Sequence, residues 1–277
     1  MAELLATSAD GVPVTALDDG EGPPVLLVHG GGESATAWDA VLPSLTDAFR
    51  VVRVVRRIYV PGAAVAPTHS MSVEAADVLA VAGLLDRPVL LVGHSSGAVA
   101  ALEAAVRAPG RLAGLVLYEP PLPTRALVGG EAARRAREAL AAGDPREALR
   151  IHLRDIAHEP PERVGRLTAA QRARDTFASK VAAGLADIAA LDGLGVGVDR
   201  FRGLHVPTTL VEGDRSPARL RERLADLAAA LPDARVVTLP GQGHDTHRTA
   251  PGTLAAVIRE AAGRAFGRGL REQGPGA

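Results

Sequence analysis

The most informative pattern for the fold is Gly93-His94-Ser95-Ser96-Gly97, which directly follows the apolar run Pro88-Val89-Leu90-Leu91-Val92. It predicts a buried strand that ends in a sharp turn and continues into a helix. Small residues at both ends let the turn close, and the serine hydroxyl between them projects freely. Ser95 is therefore the candidate nucleophile.

Apolar runs alternate with helical patterns on both sides of this turn. Near-continuous apolar strands of this kind are typical of a parallel sheet that is covered by helices on both faces. We expect strands at 25–28, 50–55, 112–118, 206–211 and 234–239, and helices at about 38–45, 72–85, 98–107, 217–231 and 253–266, with Ser72 as a helix N-cap.

Residues 121–200 interrupt this alternation. They contain a charged helix at about 131–140, and Asp144-Pro145-Arg146-Glu147 has the features of a second helix start. We therefore predict a core formed by 1–120 and 201–277 and a helical cap, or lid, formed by 121–200. A peripheral helical decoration is the alternative for this segment.

Composition narrows the possible partners. The chain has 277 residues, 31 basic and 32 acidic side chains, a net charge of −1 and no cysteine. This balance favours a small-molecule substrate over nucleic acid or a membrane, and the absence of cysteine removes disulfides, thiolate metal ligands and thiol catalysis. The N-terminus has no signal-peptide pattern, so we expect a cytoplasmic protein.

An acyl-transfer site also needs a base and hydrogen-bond donors for the oxyanion. His244 follows the last predicted strand and is the candidate base, with His247 as the alternative. The backbone amides of Gly31, in the glycine loop after the first central strand, and of Ser96 are the candidate oxyanion donors. The remaining histidines are expected to be structural (His29, His94) or polar surface residues (His69, His152, His158, His205).

Four motifs together resemble the α/β-hydrolase superfamily, in particular its bacterial cap-bearing members. They are His29-Gly-Gly-Gly32, Gly93-His-Ser-Ser-Gly97, Leu115-Val-Leu-Tyr-Glu-Pro-Pro121 and Leu239-Pro-Gly-Gln-Gly-His244. The resemblance covers about 25–120 and 204–265. It implies an α/β-hydrolase fold with a mostly parallel eight-stranded sheet, a serine-based catalytic triad and no cofactor.

The chain departs from that pattern in two places. Most members carry the triad acid after the penultimate strand, where this chain has Ser216, with Asp214 two residues earlier. Glu119, at the end of the strand after the nucleophile helix, has the position of the acid in other members, so Glu119 and Asp214 are both candidates. The second departure is the bulky loop 55–62, which indicates either an unusual pocket or local repacking. Arg56 and Arg57 in this loop are expected to be solvated, with contact to an acidic substrate group as the alternative.

The sequence supports three hypotheses. The first is a serine hydrolase that cleaves an ester, lactone or thioester of a small, largely apolar substrate through an acyl-enzyme. The second is a non-hydrolytic enzyme on the same scaffold, such as a cyclase, a lyase or a cofactor-free peroxidase-like enzyme. The third is a ligand receptor built on a degenerate hydrolase, which the intact serine and histidine disfavour.

Overall fold

A computed structural model describes residues 2–170 and 176–272. Within these ranges the chain forms one eight-stranded sheet in the order β1-β2-β4-β3-β5-β6-β7-β8. β2 pairs antiparallel with β1 and β4, and all other pairs are parallel, as predicted. The strands are β1 Ala2–Thr7, β2 Pro13–Asp19, β3 Pro24–Val28, β4 Arg50–Val54, β5 Val89–His94, β6 Leu112–Tyr118, β7 Thr208–Gly213 and β8 Ala234–Leu239.

Helices cover both faces of the sheet. The described α-helices are α1 Met71–Ala82, α2 Ser96–Arg107, α3 Gly130–Ala141, α4 Pro145–Ile151, α5 Pro161–Ala170, α6 Phe177–Asp192, α7 Ala218–Ala230, α8 Thr246–Thr249 and α9 Pro251–Glu272. In β5, Leu91 packs into one apolar cluster with residues of α1 and α2, while Leu90 and Val92 pack into the other with residues of α9. Burial on both faces explains why the strand sequence is apolar without alternation.

The structure differs from the sequence-based elements in a few places. The expected helix near Trp38 is two short 3₁₀ turns, Ala35–Trp38 and Leu42–Ser44. The side chain of Ser70, not Ser72, caps α1 by accepting from the Val73 amide. The 3₁₀ turns still bury Trp38 fully, because burial depends on where the side chain points and not on the exact helix type.

The segment between β6 and β7 is helical and carries α3, α4, α5 and α6, with a π-helical turn at His152–Ile156. Asp144 caps α4, as predicted, by accepting from the amides of Arg146 and Glu147. The segment has a small apolar cluster of its own, and α6 also contacts α1 and α2. Residues 171–175, within the expected cap, lie outside the described residues.

No helix among the described residues combines the length and the apolar character needed to cross a membrane.

Candidate active site

Ser95 lies in a sharp turn between β5 and α2. Its backbone has φ 52° and ψ −127°, a conformation that L-residues rarely adopt. Glycines on both sides make the turn possible: a Cβ at Gly93 would lie 2.4 Å from the Ala98 Cα, and one at Gly97 would lie 2.3 Å from the His29 carbonyl oxygen. The two glycines of the motif are therefore required by close packing, and Ser95 is presented at the carboxyl end of the central strand.

His244 and Glu119 meet at the same end of the sheet. Nδ1 of His244 lies 2.5 Å from Oε2 of Glu119, and the amide of Gly213 donates to Oε1 at 2.8 Å. A carboxylate only accepts, so Nδ1 carries the proton and Nε2 keeps a free lone pair. The Glu119 side chain is fully buried. Burial opposes its ionisation, but the hydrogen bond and charge of His244 hold the pKa of Glu119 below its usual value.

Asp214, the other candidate acid, has a different environment. It is exposed, and none of the side-chain hydrogen bonds within the described residues joins it to His244. The structure thus brings His244 together with Glu119 and leaves Asp214 on the surface. Ser216, which has the usual position of the acid, is buried.

The glycine loop after β3 lies against the start of α2. Gly30 donates its amide to the Glu33 carboxylate at 3.2 Å, whereas the Gly31 amide donates to no acceptor among the described residues. Ser96 is the first residue of α2, so its amide has no acceptor within the helix. A Cβ on Gly31 would lie 3.3 Å from the Ser96 Oγ. The two predicted oxyanion donors are therefore neighbours with amides available for a ligand.

Glu33, in the glycine loop, connects the end of β5 with α8, a role that its place in the sequence did not indicate. Its carboxylate contacts His94 Nδ1 at 3.4 Å, His247 Nε2 at 3.0 Å and Arg248 at 2.8 Å. Burial opposes ionisation of Glu33, but the hydrogen bonds and charges of His247 and His94 hold its pKa well below the usual value. His247 is fully buried, so its ring is not accessible to a substrate, whereas the His244 side chain is 32% exposed.

His94 is structural, as expected. Its Nε2 lies 3.0 Å from the His244 carbonyl oxygen, and burial lowers its pKa to about 4. Donor atoms of Glu33, His94 and His247 lie within 4.8 Å of one another, a spacing that one metal ion could bridge. Arg248 and the Gly30 amide, however, already donate to the Glu33 oxygens. The arrangement fits a hydrogen-bonded set better than a cation site.

The loop 55–62 differs from the prediction in the burial of Arg56. Arg56 and Arg57 were expected to be solvated, but the Arg56 side chain is completely buried. Its guanidinium contacts Glu74 at 2.9 Å, Ser96 Oγ at 2.9 Å and Asp187 at 2.7 Å. Arg57 is half-buried and pairs with Asp10 and Asp77. The Tyr59 hydroxyl also donates to Asp187, at 2.7 Å. We call this set of side chains the Arg56 cluster: Arg56, Glu74, Asp187, Ser96 and Tyr59.

His69 also differs from the prediction of a surface residue. Its side chain is 4% exposed and its Nε2 lies 3.8 Å from Oε1 of Glu74. The prediction was wrong because the loop before α1 folds back over that helix.

A cavity of about 610 Å³ borders the glycine loop. Its wall combines aliphatic side chains of the loop 57–63 with residues of α6 and the end of the glycine loop. Among the lining residues are Gly32, Ile58, Tyr59, Val60, Lys180 and Ala183.

Similarity to known proteins agrees with this architecture. The profile of the alpha/beta hydrolase family matches residues 25–257. A pimeloyl-[acyl-carrier protein] methyl ester esterase of Methylococcus capsulatus is 43% identical over 101 residues, 35% of this chain and 37% of that protein. The chain thus matches little more than a third of that relative's length. An enzyme of the same name from Aromatoleum aromaticum is 28% identical over 256 residues, 86% of this chain and 97% of that protein.

A solved structure of an alpha/beta hydrolase from Sphaerobacter thermophilus superposes with a TM-score of 0.78 at 28% identity, covering 94% of this chain and all of that one. The family profile, the two relatives and the solved structure all agree with the sheet order and the serine turn of this chain. The chain belongs to the alpha/beta hydrolase family.

Proposed function

We propose that this enzyme is a serine hydrolase that cleaves a carboxylic ester, lactone or thioester of a small, largely apolar substrate through an acyl-enzyme. The observation that carries the proposal is the 2.5 Å contact between His244 and Glu119, which lies at the strand ends that also present Ser95. This contact orients the His244 imidazole, with its Nε2 free, at the carboxyl ends of the strands where the serine turn lies.

In the first half of the reaction, the Ser95 Oγ attacks the substrate carbonyl carbon while His244 Nε2 takes the hydroxyl proton. Glu119 holds the imidazole in one tautomer and offsets its positive charge. The amides of Gly31 and Ser96 donate to the oxyanion of the tetrahedral intermediate. As this intermediate collapses, the bond to the leaving oxygen or sulfur breaks, and His244 returns the proton to that atom.

In the second half, water attacks the acyl carbon and gives a proton to His244. The ester bond to Ser95 then breaks, and the proton returns to the serine oxygen. The net reaction consumes one water and yields an acid and an alcohol or thiol.

The insertion fits the role of a cap. We propose that residues 121–200 cover a core formed by 1–120 and 201–277, because α6 packs over α1, α2 and the loop at 57–59. The 610 Å³ cavity beside α6 then takes part of the substrate. Ile58, Val60 and Ala183 offer it an apolar surface, and charged residues that include Glu33, Lys180 and Arg248 also line the cavity. The two relatives named methyl ester esterases support ester cleavage as the reaction class.

The direct test is turnover of p-nitrophenyl esters of increasing chain length by wild type and Ser95→Ala. We expect the variant to lose on the order of 10³-fold or more in kcat at unchanged stability. Ser72→Ala, at an exposed serine in the first turn of α1 and outside the cavity lining, is the matched control and should retain activity. Undiminished turnover by Ser95→Ala would overturn the acyl-enzyme route and favour a non-hydrolytic or nucleophile-independent reaction.

A further inference from the structure

Asp187 on α6 reaches from the helical insertion to the start of the nucleophile helix. It is 2% exposed, and its Oδ2 lies 2.6 Å from the Ser96 Oγ and 2.7 Å from the Tyr59 hydroxyl. Its Oδ1 accepts from the Arg56 guanidinium at 2.7 Å. One carboxylate of the insertion therefore contacts both the serine turn and the loop after β4.

The charges in the Arg56 cluster hold these groups in place. Arg56 is shared between Glu74 and Asp187, and it also donates to the Ser96 Oγ. Burial opposes ionisation of Asp187, but the adjacent Arg56 charge holds the pKa of Asp187 below its usual value. A buried, ionised carboxylate with three partners has little freedom to move, because each lost partner leaves uncompensated charge.

The cluster also borders Gly31. A Cβ at Gly31 would lie 3.0 Å from the Asp187 Oδ2 and 3.2 Å from the Tyr59 hydroxyl. Both candidate oxyanion donors thus lie beside Asp187, since Ser96 is bonded to it through its side chain and Gly31 lies where a Cβ would come within 3.0 Å of it.

We propose that Asp187 is a positioning residue for the oxyanion hole. With Arg56 and Tyr59 it fixes the Ser96 side chain and the backbone of Gly31, and so fixes the separation of the two amides that receive the oxyanion. The proposal rests on the proposed serine hydrolase function. It makes the insertion part of the catalytic geometry and not only a cover, because its carboxylate sets where the donors stand.

The test compares Asp187→Asn with Asp192→Asn in the full chain. The first substitution keeps the shape of the side chain and removes its charge. Asp192 lies on the same helix and anchors the insertion by accepting from the amides of Val128, Gly129 and Gly130. Replacing the Asp192 carboxylate should weaken these hydrogen bonds within the insertion and leave the contacts of Gly31 and Ser96 unchanged.

Three measurements separate a positioning role from an effect on stability. Burst titration with a p-nitrophenyl ester gives the fraction of active enzyme, steady-state kinetics gives kcat and KM, and inhibition by an alkyl trifluoromethyl ketone reports on the oxyanion hole, since its adduct carries the oxyanion. For Asp187→Asn we expect kcat per active site to fall about 10- to 100-fold, with KM within about threefold and ketone affinity falling in parallel with kcat/KM. Asp192→Asn should lower the melting temperature and leave kcat per active site and ketone affinity unchanged.

Tyr59→Phe provides a second variant if Asp187→Asn does not fold, since it removes one hydrogen bond of the carboxylate and keeps the ring. It should show the same kcat and ketone effects at smaller size. Unchanged kcat and ketone affinity in either folded variant would overturn the positioning role. If wild type itself gives no burst and the ketone does not inhibit it, the serine hydrolase proposal fails instead, so the two failures are distinct.

Discussion

The His244 imidazole donates to Oε2 of Glu119 across 2.5 Å, while the Gly213 amide holds the other oxygen of that carboxylate. Glu119 itself has φ 47°, so the chain adopts an unusual backbone conformation at this residue as well as at Ser95. Two strained residues thus end two adjacent strands of the sheet, and strain of this kind is common at functional sites.

Replacing Glu119 by Gln removes the charge that orients and stabilises the His244 imidazolium. We expect kcat for a p-nitrophenyl ester to fall by about 10³- to 10⁴-fold, with a small change in KM. Asp214→Asn is the matched control, because Asp214 is exposed and should leave kcat unchanged. The reverse pattern in steady-state kinetics would show that Asp214 is the triad acid.

Arg56→Met tests the buried charge cluster by its effect on folding. The substitution leaves Glu74 and Asp187 without their common partner, which should lower the free energy of unfolding by about 3–5 kcal/mol. Urea denaturation measures the change. Arg134→Met on the exposed face of α3 is the control and should unfold close to wild type, since both of its partners are solvated. An Arg56→Met variant as stable as Arg134→Met would contradict the account of the cluster.

The stability of the protein should fall as pH falls from 6.5 towards 4. Burial, followed by the charge of Arg56, lowers the pKa of His29 to about 4 in the folded state. The unfolded chain therefore binds this proton first, and protonation favours unfolding between the two pKa values. For His29 alone the loss between pH 7.5 and pH 5 is on the order of 2 kcal/mol.

His29→Gln removes this titration, and urea denaturation at the two pH values measures it. The variant should lose less stability than wild type on acidification, whatever its stability at pH 7.5. An equal loss in both proteins would show that His29 does not titrate differently in the folded and unfolded chains.

Gly31→Ala should impair catalysis more than folding. The added methyl group would lie 3.0 to 3.3 Å from Asp187, Tyr59 and Ser96, which is closer than ordinary contact. Because the hydrogen bonds of Asp187 hold these side chains, we expect the glycine loop to shift by a few tenths of an ångström. We expect kcat to fall by about 10-fold or more because the Gly31 amide moves. Gly263→Ala in α9 meets open space and should keep full kcat with slightly higher stability. Equal kcat in both variants would remove Gly31 from the oxyanion hole.

Local signals allowed the central part of the fold to be predicted. The strand before Ser95, the strand 234–239 and the Asp144-capped helix all depend on residues close in sequence. The β1–β2 hairpin was not predicted, because its strands lie at the sheet edge and mix exposed and buried positions, so they lack the apolar run of a central strand.

The long-range parts of the site were beyond local reasoning. Arg56 is buried because Asp187, 131 residues further along the chain, meets it from the insertion. Glu33 gains its role from His247 and Arg248, which follow it by more than 210 residues. An arginine or glutamate in a loop has no sequence pattern that distinguishes such burial from solvation. His244 was predicted from its place after the last strand, whereas Glu119 was suggested by the family resemblance, which left Asp214 as a second candidate acid.

Covalent labelling of the nucleophile tests the role of Ser95 without any assumption about the substrate. The enzyme is treated with a fluorophosphonate, digested, and the modified peptide identified by mass spectrometry. The account predicts a single stoichiometric adduct on Ser95, and no adduct in Ser95→Ala. An adduct on another residue, or labelling of Ser95→Ala at the wild-type rate, would contradict it.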